Sequence, residues 1–202
     1  MNEIYLLRHG ETLWNKKRIC QGRIDNPLDD KGKNDALRLG KILLNNRYSF
    51  DYYISSPLSR AYETCKIIKQ ELKDDKKIII NKDFIERDFG ILDGKPYSIA
   101  IPLVNSSKDV KIKNFEYNED LISRVYKALL KLNGTYRNSK ILISTHSNTI
   151  KAILIYLNPE KYTFLTSIPN LNLTHLEIDE NNKVTLKEFS LFPLGLEDTT
   201  II

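Results

Sequence analysis

The amino-acid sequence predicts an α/β fold with three layers, α/β/α, around a mostly parallel central sheet. Two observations lead there. Short apolar runs suited to buried strands alternate with longer segments whose apolar residues recur at helical spacing, in the order strand, helix, strand, helix through most of the chain. The 202 residues, 41% of them apolar, suffice for a substantial core, and no internal repeat or low-complexity linker divides them. One domain over residues 1–202 is expected, with residues 95–118 as an irregular cap or loop.

The first strand is the four-residue run Ile4 to Leu7, which breaks off into Arg8, His9 and Gly10. The following loop carries Lys16, Lys17, Arg18, Gln21, Gly22 and Arg23 and ends in the turn-like Asp25-Asn26-Pro27. A helix follows over Lys33 to Leu44, with Ala36, Leu39, Gly40 and Leu43 on one face. Asp51 to Ile54 reads as the second strand. It leads into a helix for which Ser56 suits the N-cap and Pro57 the first position, with Leu58, Ala61, Tyr62, Cys65, Ile68 and Leu72 as the apolar stripe.

Ile78 to Ile80 is a β-branched strand that runs into Glu86-Arg-Asp-Phe-Gly90. Residues 95–118 show weak periodicity, with room for one short helix. Asp120 to Leu132 is helical, with Asn133-Gly134 as its expected stop. Lys140 to Thr145 is a buried strand ending at His146, and Ser147 to Tyr156 is a helix. Leu171 to Ile178 and Lys183 to Phe189 form a hairpin at a sheet edge.

The net charge of +5 favours anionic partners, but the lysines are spread along the chain, so a phosphorylated small molecule fits as well as nucleic acid. No apolar run approaches the roughly 18 residues that span a bilayer, and the N-terminus lacks a charged leader before an apolar stretch. A cytoplasmic location without membrane attachment is expected. Cys20 and Cys65 match neither a disulfide framework nor a metal knuckle and read as reduced thiols.

In open parallel sheets, ligands sit outside the carboxyl ends of the strands. That rule gathers Arg8 with His9, Ser56 to Arg60, Glu86 and His146 on one rim. Such a cluster of positive groups repels itself unless a multiply charged anion fills it. Phosphate is the expected occupant.

Arg8-His-Gly-Glu-Thr12 with Asn15, Gln21-Gly22, Ser55-Ser-Pro-Leu-Ser-Arg-Ala61 with Thr64, Glu86-Arg-Asp-Phe-Gly90 with Gly94, and Ser144-Thr-His146 resemble the histidine phosphatase superfamily, also called phosphoglycerate-mutase-like. The blocks follow the family order from residue 4 to about residue 150. The resemblance implies a phosphate pocket of Arg8, His9, Arg60 and His146, with Asn15, Gln21 and Gly22 holding substrate, and neither cofactor nor metal. His9 would attack phosphorus, with the Gly10 carbonyl placed to fix its other ring proton. Arg8, Arg60 and a protonated His146 would stabilise the equatorial oxygens, and Glu86 would act as general acid and then base. That role asks for a carboxyl that keeps its proton near neutral pH, which burial beside the phosphate would favour.

The chain departs from the family pattern in two places. Ser147 stands where a glycine usually follows the second histidine; the serine is small enough to fit and its hydroxyl is a candidate phosphate contact. The arginine pair that mutases place after the acid has no counterpart between Asp88 and Ser123, where only lysines occur, which favours a phosphatase. Three other classes compete: a mutase, which needs a bisphosphorylated primer; a metallohydrolase on His9, His146 and Glu86, disfavoured by the flanking arginines; and a nucleic-acid-binding module using the Lys16 to Arg23 charges, with steep salt dependence and no turnover. Trp14 suits the pocket wall or core packing, and His175 reads as structural.

Overall fold

The structure, a computed structural model, describes residues 1–105 and 111–191. In chain order the elements are β1 (Asn2–Arg8), α1 (Leu13–Lys16), α2 (Asp30–Asn45), β2 (Tyr52–Ser55), α3 (Ser59–Glu71) and β3 (Ile78–Ile80). They continue with α4 (Tyr97–Asn105), α5 (Asn118–Thr135), β4 (Lys140–Thr145), α6 (Ser147–Leu157), β5 (Leu173–Ile178) and β6 (Val184–Glu188). The strands form one sheet in the order β3-β2-β4-β1-β5-β6. From β3 through β1 all pairings are parallel, while β5 and β6 join antiparallel.

The alternation of side chains along each strand builds the two faces. Ile4 and Leu6 of β1 and Ile141 and Ile143 of β4 pack with Leu121, Val125 and Leu129 of α5 and Ile150 and Ile153 of α6. Tyr5, Leu7, Tyr53 and Leu142 point the other way, onto Ala36, Leu39 and Leu43 of α2 and Cys65 and Ile68 of α3. A third cluster, Cys20, Phe89, Leu92, Ala100, Ile112 and Phe115, holds the cap segment together. Both cysteines are free thiols.

Three details of α3 and α5 differ from the sequence expectations. Helix α3 starts at Ser59 with Leu58 as its cap residue, two residues beyond the expected Ser56-Pro57 start. Ser56 Oγ does accept a bond from the Leu58 amide (3.3 Å), but it also bonds the His146 ring at 2.7 Å, which draws it toward the sheet. On the same helix the buried stripe takes in Arg60 and Thr64, whereas Tyr62 is exposed. Helix α5 runs through Asn133-Gly134 to Thr135. There Asn133 donates to the Asp179 carbonyl and to Asn182, contacts across the molecule that carry the helix past its local stop signal.

Residues 97–105 of the expected irregular segment form α4, with Pro102 inside it. Part of the segment, residues 106–110, lies outside the described residues. The expected hairpin is present at one edge of the sheet, with β6 outermost and β5 paired to β1 along its length. His175 on β5 stacks on Tyr5, with ring centroids 4.3 Å apart, as a structural histidine should.

Parallel pairing decides where the chemistry collects. Arg8 stands opposite Thr145, and Ser55 stands opposite Ser144. The residues that follow these strand ends therefore emerge on the same rim. The His9 amide continues the ladder by donating to Thr145 O at 3.0 Å, which sets the two histidines side by side.

Candidate active site

The rim opens into a cavity of about 390 Å³, in the size range of small-molecule sites. Arg8, His9, Asn15, Gln21, Glu86 and Ser147 line it. Arg60 and His146 are fully buried behind that surface, and the Arg60 charge still acts on His9. The rings of His9 and His146 lie 5.2 Å apart, tilted by 58°.

His9 is held by its own neighbour. Its Nδ1 lies 2.7 Å from the Gly10 carbonyl, which can only accept, so Nδ1 carries the proton and Nε2 keeps its lone pair. Burial first, then the charges of Arg60 and Arg8, hold the imidazole well below its ordinary pKa of 6.5. The result is a neutral ring with a lone pair free to attack. The backbone turn behind it is tight: a Cβ at Gly10 would come within 2.7 Å of the Gly32 carbonyl of α2, so glycine is required for the approach.

The guanidinium of Arg8 donates through Nη1 to the Ile168 carbonyl. Arg60 reaches from α3 under the loop after α1, donating to Gly22 O at 2.7 Å and Ile24 O at 3.1 Å. Its Nε is buried without a hydrogen-bond partner among the described residues, as is Nδ1 of His146. His146 is also held well below its ordinary pKa, by burial and then by Arg60, His9 and Arg8. The protein alone therefore keeps it neutral, a difference from the protonated ring expected from sequence. An arriving phosphate dianion would supply the charge that reverses this.

Glu86 is 3% exposed, fixed by the Arg87 amide on Oε1 (2.7 Å) and by the Asn148 amide of α6 on Oε2 (3.3 Å). Its loop is pinned by long-range bonds: Thr145 Oγ1 donates to Phe84 O at 2.7 Å, and Arg124 donates to the carbonyls of Asp83 and Ile85 at 2.7 and 3.0 Å. Asn15 closes the capping box of α1 with Thr12, and Thr12 Oγ1 in turn donates to Gln21 Oε1 at 2.8 Å. Gly22 does not line the cavity. Its amide is committed to Asp93 at 2.8 Å and its carbonyl to Arg60, so it braces the guanidinium instead of offering an amide to a ligand. Trp14 is likewise absent from the cavity wall and packs toward Gly94.

Other residues at the site escaped sequence reasoning. Asn170 Nδ2 donates to the His9 carbonyl at 2.9 Å, and Leu171, in the left-handed region at φ 60°, donates its amide to Arg8 O at 3.1 Å. Nothing local marks either position. Lys151 also lines the cavity, and its place four residues after Ser147 on one helix was a usable signal.

The two neutral histidines make stability pH-dependent. A histidine whose folded pKa is depressed binds its proton more readily in the unfolded chain, so stability is retained above the unfolded value of 6.5 and falls as pH drops below it. Each ring contributes a slope of up to about 1.4 kcal/mol per pH unit. Urea midpoints measured from about pH 7.5 down to 5.5 are expected to decline steadily, and His146→Asn should flatten the decline; an equally steep profile in that variant would refute the burial argument.

A six-stranded mixed sheet between helical layers, with two histidines and two arginines gathered where its parallel strands end, defines an α/β protein of the phosphoglycerate-mutase-like fold. The chain belongs to the histidine phosphatase superfamily (branch 1), whose family model matches residues 4–189. It is 34% identical over 197 residues to the uncharacterized phosphatase PhoE of Bacillus subtilis, covering 95% of both chains. It is 32% identical over 154 residues to a probable phosphoglycerate mutase, GpmB, of Salmonella choleraesuis, covering 72% of this chain and 70% of that one. Among solved structures, phosphoglycerate mutase from Bacillus anthracis superposes with a TM-score of 0.82 and 22% identity, covering 92% of this chain and 91% of that one. Ser147, at the family's usual glycine, is the first residue of α6 and is not among the residues with positive φ, so the backbone makes no demand for glycine there.

Proposed function

We propose that the protein is a phosphomonoester hydrolase that acts on a small phosphorylated metabolite through a phosphohistidine on His9. The observation that carries this reading is the His9 ring, neutral and locked by the Gly10 carbonyl with Nε2 uncommitted, beside two guanidinium groups. In the first step the Nε2 lone pair attacks phosphorus in line. The P–O bond to the alcohol breaks, and Glu86, entering as the acid, gives its proton to the leaving oxygen. Water then attacks the phosphohistidine, Glu86 takes its proton, and the N–P bond electrons return to the ring. Arg8, Arg60 and His146 stabilise the equatorial oxygens, with His146 gaining its proton alongside the incoming dianion. Asn15, Gln21 and Ser147 position the substrate from the cavity wall, and Gly22 supports Arg60.

A hydrolase is favoured over a mutase by the fate of the arginines. The first one after Asp88 is Arg124, and its guanidinium is occupied by Glu116 at 2.7 Å and by the two carbonyls of the Glu86 loop, so it is not spare for a substrate carboxylate. The kinship to a curated phosphatase over nearly the whole chain points the same way.

The test is a panel of phosphomonoesters assayed with and without chelator and with and without a bisphosphorylated primer, beside a binding titration with nucleic acid at varied salt. Release of inorganic phosphate together with an acid-labile phosphoenzyme is expected. Interconversion of phosphoglycerates that depends on primer would establish the mutase, loss of activity in chelator a metallohydrolase, and salt-sensitive nucleic-acid binding without turnover a binding module.

A further inference from the structure

We propose that Lys151 forms a second anion subsite in the cavity and selects phosphomonoesters whose alcohol half carries another anionic group, a carboxylate or a second phosphate. The inference rests on the hydrolase reading and names the substrate class. Lys151 lies on α6 four residues beyond Ser147 and lines the same cavity as His9 and Glu86. Its Nζ donates to the Phe164 carbonyl at 2.8 Å, whereas an ammonium has three protons to give. Among the described residues it makes no ion pair. A largely buried ammonium held by one neutral acceptor is a costly arrangement unless an anion completes it.

Its anchoring differs from that of Arg60 and His146, which are tied to Gly22, Ile24 and Ser56. Lys151, like Arg8, is tied to the segment before β5, which also carries Leu165 and Ile168 on the cavity wall. The cavity, about 390 Å³, has room for a phosphate and a small organic body beside it. Burial pushes the Lys151 ammonium down to about 8; Arg8 and Arg87 act in the same direction and Glu86 opposes them. The cation is thus present at neutral pH and is lost as pH rises through that value.

The test compares matched substrates in the intact protein. The ratio of kcat/KM for 3-phosphoglycerate over glycerol 3-phosphate reads the carboxylate, and fructose 1,6-bisphosphate over fructose 6-phosphate reads a second phosphate. In the wild type at least one ratio should exceed unity and should fall about tenfold or more in Lys151→Met, the range of one charge-assisted hydrogen bond, while Lys151→Arg retains it. The wild-type ratio should also decline above about pH 8, and that of Lys151→Arg should not, because a guanidinium keeps its proton there. Calorimetric binding of the same four compounds to His9→Ala, with and without Lys151→Met, reads the subsite without turnover. Absent hydrolysis would sink the hydrolase reading while binding still decides the subsite. Ratios or affinities that are the same with and without the Lys151→Met substitution, for both substrate pairs, overturn the proposal.

Discussion

Replacing His9 with alanine is expected to lower kcat by more than about a thousandfold, because in the proposed mechanism the nucleophile and the groups that stabilise the transferring phosphoryl act as one unit. The variant loses a ring nitrogen whose lone pair is available because the imidazole is neutral and is oriented by a backbone carbonyl. Arg8, Arg60 and His146 would still bind phosphate, so substrate affinity should survive better than turnover. Two readouts separate this outcome from misfolding. The acid-labile phosphoenzyme should disappear entirely, and the thermal midpoint should stay near that of the parent, since removing a buried imidazole also removes its desolvation. Wild-type turnover in His9→Ala would show that another group attacks.

Glu86→Gln is expected to reduce turnover of alkyl phosphomonoesters by about 10² to 10⁴, the usual contribution of a positioned general acid and base. Glutamine keeps the shape, and its carbonyl oxygen is able to accept the Arg87 amide bond at the Oε1 position, at the loss of the longer bond from the Asn148 amide. It has no proton to give to an alkoxide and no basic site for water. The loss should depend on the leaving group: p-nitrophenolate departs without help, so formation of the phosphoenzyme should be nearly spared with p-nitrophenyl phosphate and its breakdown slowed. A burst of nitrophenolate followed by a slow steady rate is the expected trace. Equal losses on alkyl and aryl substrates, with no burst, would place the acid elsewhere.

How much of this was legible before folding depends on where the signal resides. The strands β1 and β4 were readable because each is a short apolar run that ends abruptly in Arg8-His9 or His146, and parallel pairing then carried those ends to one rim. Arg60 was legible as a candidate site residue from its place in the first turn of α3, although the start of that helix was not. Ser56 has the chemistry of a cap, but a partner 90 residues away competes for its hydroxyl. The stop at Asn133-Gly134 failed for the same reason, as Asn133 is engaged by residues 46 and 49 positions further on. Gly22 was read as a substrate contact from the resemblance of the Gln21-Gly22 block to the family, and only its bonds to Asp93 and Arg60 reveal that it braces the guanidinium instead.

By itself the sequence determined the layered fold, the order of its strands and helices, and the identity of the histidines and arginines at the strand ends, because periodicity and residue chemistry are properties of neighbouring positions. The tertiary structure alone decided that both imidazoles are neutral, that Asn170 and Leu171 grip the His9 and Arg8 backbone, and that Lys151 shares their cavity. Those outcomes depend on burial and on groups brought together from distant parts of the chain, which no local pattern encodes.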